Sequence, residues 1–110
     1  MTPTQSFVAA AQRTWDVTDS LNRILTIHQI TALDRLRLFK AVPPYLAYND
    51  HYLGQACLTF AVTAIDGIPV PQPTNEAQIE AATARLGNEG ISAIGAALKT
   101  EEPATATAGN

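Results

Sequence analysis

The stretch LTFAVTAIDGIPVPQP, Leu58 to Pro73, decides the fold, because it joins the most apolar segment of the chain to the most proline-rich one. Upstream of its centre, NDHYLGQACLTFAVTAI reads as one helix over residues 50–65, capped by Asn49 or Asp50. Tyr52, Leu53, Ala56, Cys57, Phe60, Ala61, Ala64 and Ile65 recur at helical spacing and form one wide stripe. Leu58 and Val62 put apolar groups on a second face, the pattern of a helix central to its domain or covered by a partner. Asp66 and Gly67 follow at once. Gly67 suits the left-handed residue that closes a helix or turn, and an Asp such as Asp66 commonly bonds its own backbone nearby. Pro69, Pro71 and Pro73 then give an extended, helix-free connector. No second carboxylate, His or Lys stands beside Asp66 in sequence, so turn chemistry accounts for it better than acid–base catalysis does.

Moving toward the N-terminus, TALDRLRLFKAV predicts a helix over residues 32–42. Thr31 is the N-cap, Asp34 nearly completes a capping box, and Leu33, Leu36, Phe39 and Val42 recur at helical spacing. Pro43 and Pro44 stop the helix. Before it, WDVTDSLNRILTIHQI is rich in β-branched and aromatic residues and reads as a β-hairpin, with strands near 15–19 and 24–29. DSLNR is the turn, with Asn22 as its left-handed residue. A lone hairpin is marginal in water, so one face must pack on helices.

Toward the C-terminus, TNEAQIEAATARLGNEG predicts a helix capped by Asn75 and Gln78, with Ile79, Ala82 and Leu86 inward and Gly87 at its stop. Asn88 caps a last helix with Ile91, Ile94 and Leu98 inward, so the pair reads as an αα-hairpin. TEEPATATAGN reads as a disordered tail over residues 100–110, and residues 1–14 as a segment that is partly helical or frayed. The fold expected is therefore α+β and predominantly helical: an N-terminal β-hairpin packed on a compact bundle of about four helices, in one globular domain over residues 15–99.

Composition narrows the function. Charged residues are 15% of the chain, below the usual ~25%, so an apolar surface held for a partner is compatible with it. Residues 1–55 are net +1 and residues 56–110 net −4, and neither half has the basic footprint of a nucleic-acid binder. Arg35, Arg37 and Lys40 form a small basic cluster that reads as a solvated helix face. Cys57 is the single cysteine and sits in an apolar run, so it reads as a small buried hydrophobe, with neither disulfide nor thiolate zinc chemistry. The start does not read as a signal peptide, and the apolar stretches are too short and interrupted to span a bilayer, so a reducing cytoplasm is expected.

No dinucleotide or phosphate loop, HExxH or CxxC motif occurs. His28 and His51 are far apart in sequence and neither has a partner at metal-ligand or catalytic spacing. No catalytic residue, cofactor or metal is expected. The candidates that remain belong to a partner surface: Tyr45 and Tyr48 in a proline-rich loop, with Tyr52, Leu58 and Val62 on the helix that follows. Asn22, Asp66, Gly67 and Gly87 are expected to be structural turn residues.

The VTDSLNR turn, the LDRLRLFKA helix, the AIDGIPVP linker and the RLGNEG helix joint, taken together over about residues 15–98, resemble small proteins from tailed-phage and prophage structural clusters. Members of that group resemble tail assembly chaperones. The resemblance implies a non-enzymatic helper, acting in the host cytoplasm, that covers apolar stripes of the tape-measure protein during tail building. The alternative is a structural virion component, at the tail tube or head–tail joint, held by symmetric self-association.

Overall fold

The computed structural model describes residues 13–101. Among the described residues there are four strands and three α-helices in the order β1 (Thr14–Thr18), β2 (Ile24–His28), α1 (Ala32–Ala41), α2 (Asp50–Thr59), β3 (Val62–Ile65), β4 (Ile68–Pro69) and α3 (Glu76–Glu101), with a short 3₁₀ turn at Pro44–Leu46. The fold is mixed α+β. The readings of residues 1–14 and 100–110 fall almost wholly outside the described residues; β1 begins at Thr14 and α3 continues through Glu101.

The expected N-terminal hairpin is present, and it is half of a larger sheet. All four strands pair antiparallel in the order β1-β2-β3-β4. β3 and β4 correct the expectation of a helix over residues 50–65 and a connector after it. α2 ends at Thr59, whose Oγ1 donates to the Ala56 carbonyl at 2.6 Å, and its last turn tightens as the Ala61 amide donates to the Leu58 carbonyl. Val62, Ala64 and Ile65 then pair with Ile27, Thr26 and Leu25 of β2, the register shifting at Thr63, and the β-branched Val62 and Ile65 suit that role.

The hairpin itself is a two-residue loop. Ile65 pairs with Ile68, and the residues between them, Asp66 at φ 51 and Gly67 at φ 79, both take positive φ. That is the type I′ requirement, and Asp-Gly between apolar strand residues is its usual sequence. Asn22, at φ 64, is the left-handed residue of the first hairpin as expected.

Among the described residues three α-helices stand where about four are expected, because the expected two C-terminal helices run together across a kink. They meet at Gly87, the joint residue expected, which alone departs to φ 66 and ψ −177, with no longer loop between them. The two halves of α3 serve different cores. Leu86 and Ile94 pack with Leu25, Ile27, Ala61 and Val62 beneath the sheet. Ile79 packs with Leu38, Ala41, Val42, Ala56 and Phe60 between the helices. Ile30 touches both clusters and joins them.

Candidate functional site

The rotation of α1 about its own axis sets up the most exposed apolar surface among the helices. Its N-terminal capping box forms as the sequence predicts: the Asp34 amide donates to Thr31 Oγ1 at 3.1 Å, and the Thr31 amide donates to Asp34 Oδ2 at 2.9 Å. The Asp34 carboxylate is also claimed by residues from elsewhere in the chain. Asp34 Oδ2 lies 2.8 Å from His28 Nε2 at the end of β2, and Gln72 Nε2 donates to Asp34 Oδ1 at 2.8 Å. These bonds hold Asp34 inward, at 5% exposure. Leu38 and Ala41, at i+4 and i+7 from it, lie on the same helix face and are buried too.

The consequence is a reversal of the face expected to be buried. Leu33, Leu36 and Phe39, three of the four residues expected in the inward row, are 50%, 69% and 54% exposed, while the fourth, Val42, is buried. Arg35, Arg37 and Lys40 are exposed on the same helix, and among the described residues none of them joins an ion pair. Arg37 donates a long hydrogen bond of 3.4 Å to Gln72 Oε1. Leu33 and Arg37 also stand at a cavity of about 550 Å³ that reaches down to His28, Asp34 and Gln72.

Electrostatics keep Asp34 ionised. Burial pushes its carboxyl upward, but the Thr31 amide, His28 and Gln72 outweigh that, and the net shift is downward. The His28–Asp34 pair is thus a satisfied polar tie between sheet and helix. Sequence spacing gave no sign of it.

The other expected partner residues fall into different places. Tyr48 is 95% exposed and Tyr45 73% exposed. The Tyr45 hydroxyl donates to Glu76 Oε2, and that bond pushes its pKa up to about 12. Tyr52 is half-buried, and its hydroxyl is buried without a hydrogen-bond partner among the described residues. It lines an apolar groove of about 540 Å³ between α2 and α3, with Ala56 and Ile79 at its base. Val62 is corrected as a surface candidate, and Leu58 is only partly exposed. Val62 is a β3 residue at 6% exposure, inside the core, and Leu58 packs against that same core. The reason is the strand that replaces the expected end of the helix.

A second polar tie was invisible in the sequence. Asp19 Oδ1 accepts from the Leu21 and Arg23 amides at 2.9 Å each, and Asp19 Oδ2 pairs with the Arg23 guanidinium at 2.7 Å. The same guanidinium donates to the carbonyls of Arg85, at 2.9 Å, and Leu86, at 2.6 Å, on the turn before Gly87. Arg23 therefore bonds two carbonyls of the helical turn that ends at the Gly87 kink, where helix carbonyls want outside partners. Burial pushes the Asp19 carboxyl up, and the bonds from Arg23 and Leu21 more than reverse it.

Cys57 is half-buried among apolar neighbours, and desolvation pushes its thiol upward, with Arg35 opposing. Among the described residues, no group of three or more His, Cys, Asp or Glu side chains could hold a metal ion, and no helix is long and apolar enough to cross a membrane. No family model, curated protein or solved structure matches the chain.

Proposed function

We propose that the chain is a non-enzymatic phage tail assembly chaperone that binds apolar stripes of the tape-measure protein in the host cytoplasm. The observation that carries this reading is the exposed row Leu33, Leu36 and Phe39 on a helix whose opposite face already fills the core. Three large apolar side chains left in water on one helix mark an interaction site. Tyr45 and Tyr48, a few residues further along the chain, add two exposed aromatics suited to the same work. The sequence resemblance supplies the class of partner. The experiment is affinity capture of the tagged chain from induced or infected cells, together with mass spectrometry of purified particles. The reading expects the tape-measure protein in the capture and none of this chain in the finished particle.

The alternative, a virion component built by self-association, draws support from β1. Among the described residues it pairs only with β2, so its outer edge offers backbone groups to a second copy. Presence of the chain in purified particles selects this reading over the first.

A further inference from the structure

The charge on α1 says more about what its exposed face receives. We propose that this face docks an amphipathic α-helix of a partner protein whose apolar stripe is flanked by Asp or Glu side chains. The proposal rests on the partner-binding reading above, and it specifies the partner's chemistry rather than its name.

The first argument is charge complementarity. α1 is net +2 in a chain that is net −3. Its one acid, Asp34, is turned inward and bonded to His28 and Gln72, so the exposed face holds Arg35, Arg37 and Lys40 and no anion. An ordinary solvated helix face mixes signs at i,i+4 spacing. Here the cations lie beside and between the apolar residues, as they do where a surface meets a complementary charged rim.

The second argument is shape. Leu33, Leu36 and Phe39 follow an i, i+3, i+6 row about 9 Å long. Such a row is a ridge, and the complement of an i±3 ridge is the groove on the surface of another helix. At its Leu33 end the ridge meets the cavity of about 550 Å³ beside Arg37. A carboxylate entering there replaces the weak 3.4 Å bond from Arg37 to Gln72 with a charge-assisted one. An anionic membrane is the less suitable occupant, because the chain as a whole is acidic and the ridge offers only three apolar side chains to bury.

The test uses the full chain and two synthetic helical peptides with the same Leu stripe, one flanked by Glu and the other by Lys. Binding is followed by fluorescence anisotropy at low and high salt. The Glu-flanked peptide is expected to bind, and to bind more weakly as salt rises. Leu36→Ser and Phe39→Ser are each expected to weaken it at least about tenfold, which is the scale of a loss of 1.4 kcal/mol. Reversing Arg35, Arg37 and Lys40 together to Glu is expected to transfer the preference to the Lys-flanked peptide. Circular dichroism on every variant guards against unfolding, and the two Ser variants serve if the triple reversal does not fold. Equal binding of both peptides, binding of neither, or binding unaffected by the Ser variants overturns the proposal. So does attachment to phosphatidylserine vesicles, or a dimer that Leu36→Ser dissociates, in place of peptide binding. The two readings fail separately. Binding of the Glu-flanked peptide without capture of a tail protein from cells removes the chaperone reading alone. Capture of the tape-measure protein that survives both Ser variants removes the α1 surface alone.

Discussion

Asp66 and Ile24 exchange two hydrogen bonds: the Ile24 amide donates to Asp66 Oδ1 at 2.8 Å, and the Asp66 amide donates to the Ile24 carbonyl at 2.7 Å. These residues are 42 positions apart, so the second hairpin is fastened to β2 by its own turn residue. Asp66 does three things at once. It tolerates positive φ, continues the β2–β3 ladder with its amide, and satisfies the Ile24 amide with its side chain.

Gly67→Ala is therefore expected to destabilise the chain by about 1–2 kcal/mol, because its φ of 79 strains any residue with a Cβ, although there is open space around it. Asp66→Asn keeps an acceptor and a residue at home in the left-handed region, so it is expected to leave the melting temperature nearly unchanged. Asp66→Val removes both and is expected to lower it clearly. Equal melting temperatures for the Asn and Val variants in thermal denaturation would contradict the turn assignment.

What could be read from sequence divides along the range of the interactions concerned. The first hairpin, the Thr31–Asp34 capping box and the Asn49 cap of α2 rest on residues within a few positions of each other, and all three are present. In the sequence Val62 to Ile65 continue the helical period of the apolar run before them, and a short apolar run suits either element. The deciding signal was the Asp-Gly pair between Ile65 and Ile68, which fits a hairpin as well as a helix stop. The face of α1 could not be read locally. Leu33, Leu36 and Phe39 compete there with Leu38 and Ala41, and Asp34 settles the contest through His28 and Gln72. The Arg23 tie to α3 spans 62 positions and has no local signature.

That Arg23 tie yields a second prediction. Arg23→Met keeps the length of the side chain and removes every donor to the Arg85 and Leu86 carbonyls. The expected loss is about 1–3 kcal/mol, the range for hydrogen bonds to a charged group, with the part-buried Leu86 carbonyl losing more than the exposed Arg85 one. Arg23→Lys is expected to recover only part of it, since one ammonium cannot span both carbonyls and the Asp19 carboxylate in the guanidinium's planar geometry. Chemical denaturation of the three proteins measures this, and full recovery by Lys would contradict it.

Acid should unfold the chain through the two buried carboxylates. Asp19 and Asp34 both have lowered pKa values in the fold, because hydrogen bonds outweigh the burial that raises them. The unfolded chain, with ordinary carboxylates near 3.9, therefore takes up protons before the folded chain does. Stability from these groups is whole above that value and is lost as pH falls through the folded pKa values. The urea midpoint is expected to stay level from neutral pH to about pH 5, and to fall steeply below about pH 4. Asp34→Asn is expected to flatten the acid limb while lowering the plateau, and an unchanged limb would assign the acid sensitivity elsewhere.

A last prediction separates surface from core on two leucines that sequence patterning alone placed the wrong way round. Leu36 stands 69% exposed on α1, whereas Leu58 packs against the cluster of Leu25, Ile27 and Val62. A charge introduced at the first position stays in water, and the change is expected to fall within about 0.5 kcal/mol. The same charge at the second, which is partly buried, loses water on the side that meets apolar side chains, and Leu58→Glu is expected to cost about 1–3 kcal/mol. Cys57→Glu, half-buried in the neighbouring cluster, belongs with Leu58. Thermal melts rank the variants. Leu36→Glu melting as low as Leu58→Glu would mean that the α1 ridge is itself packed against part of this chain, and it would then be unavailable to any partner.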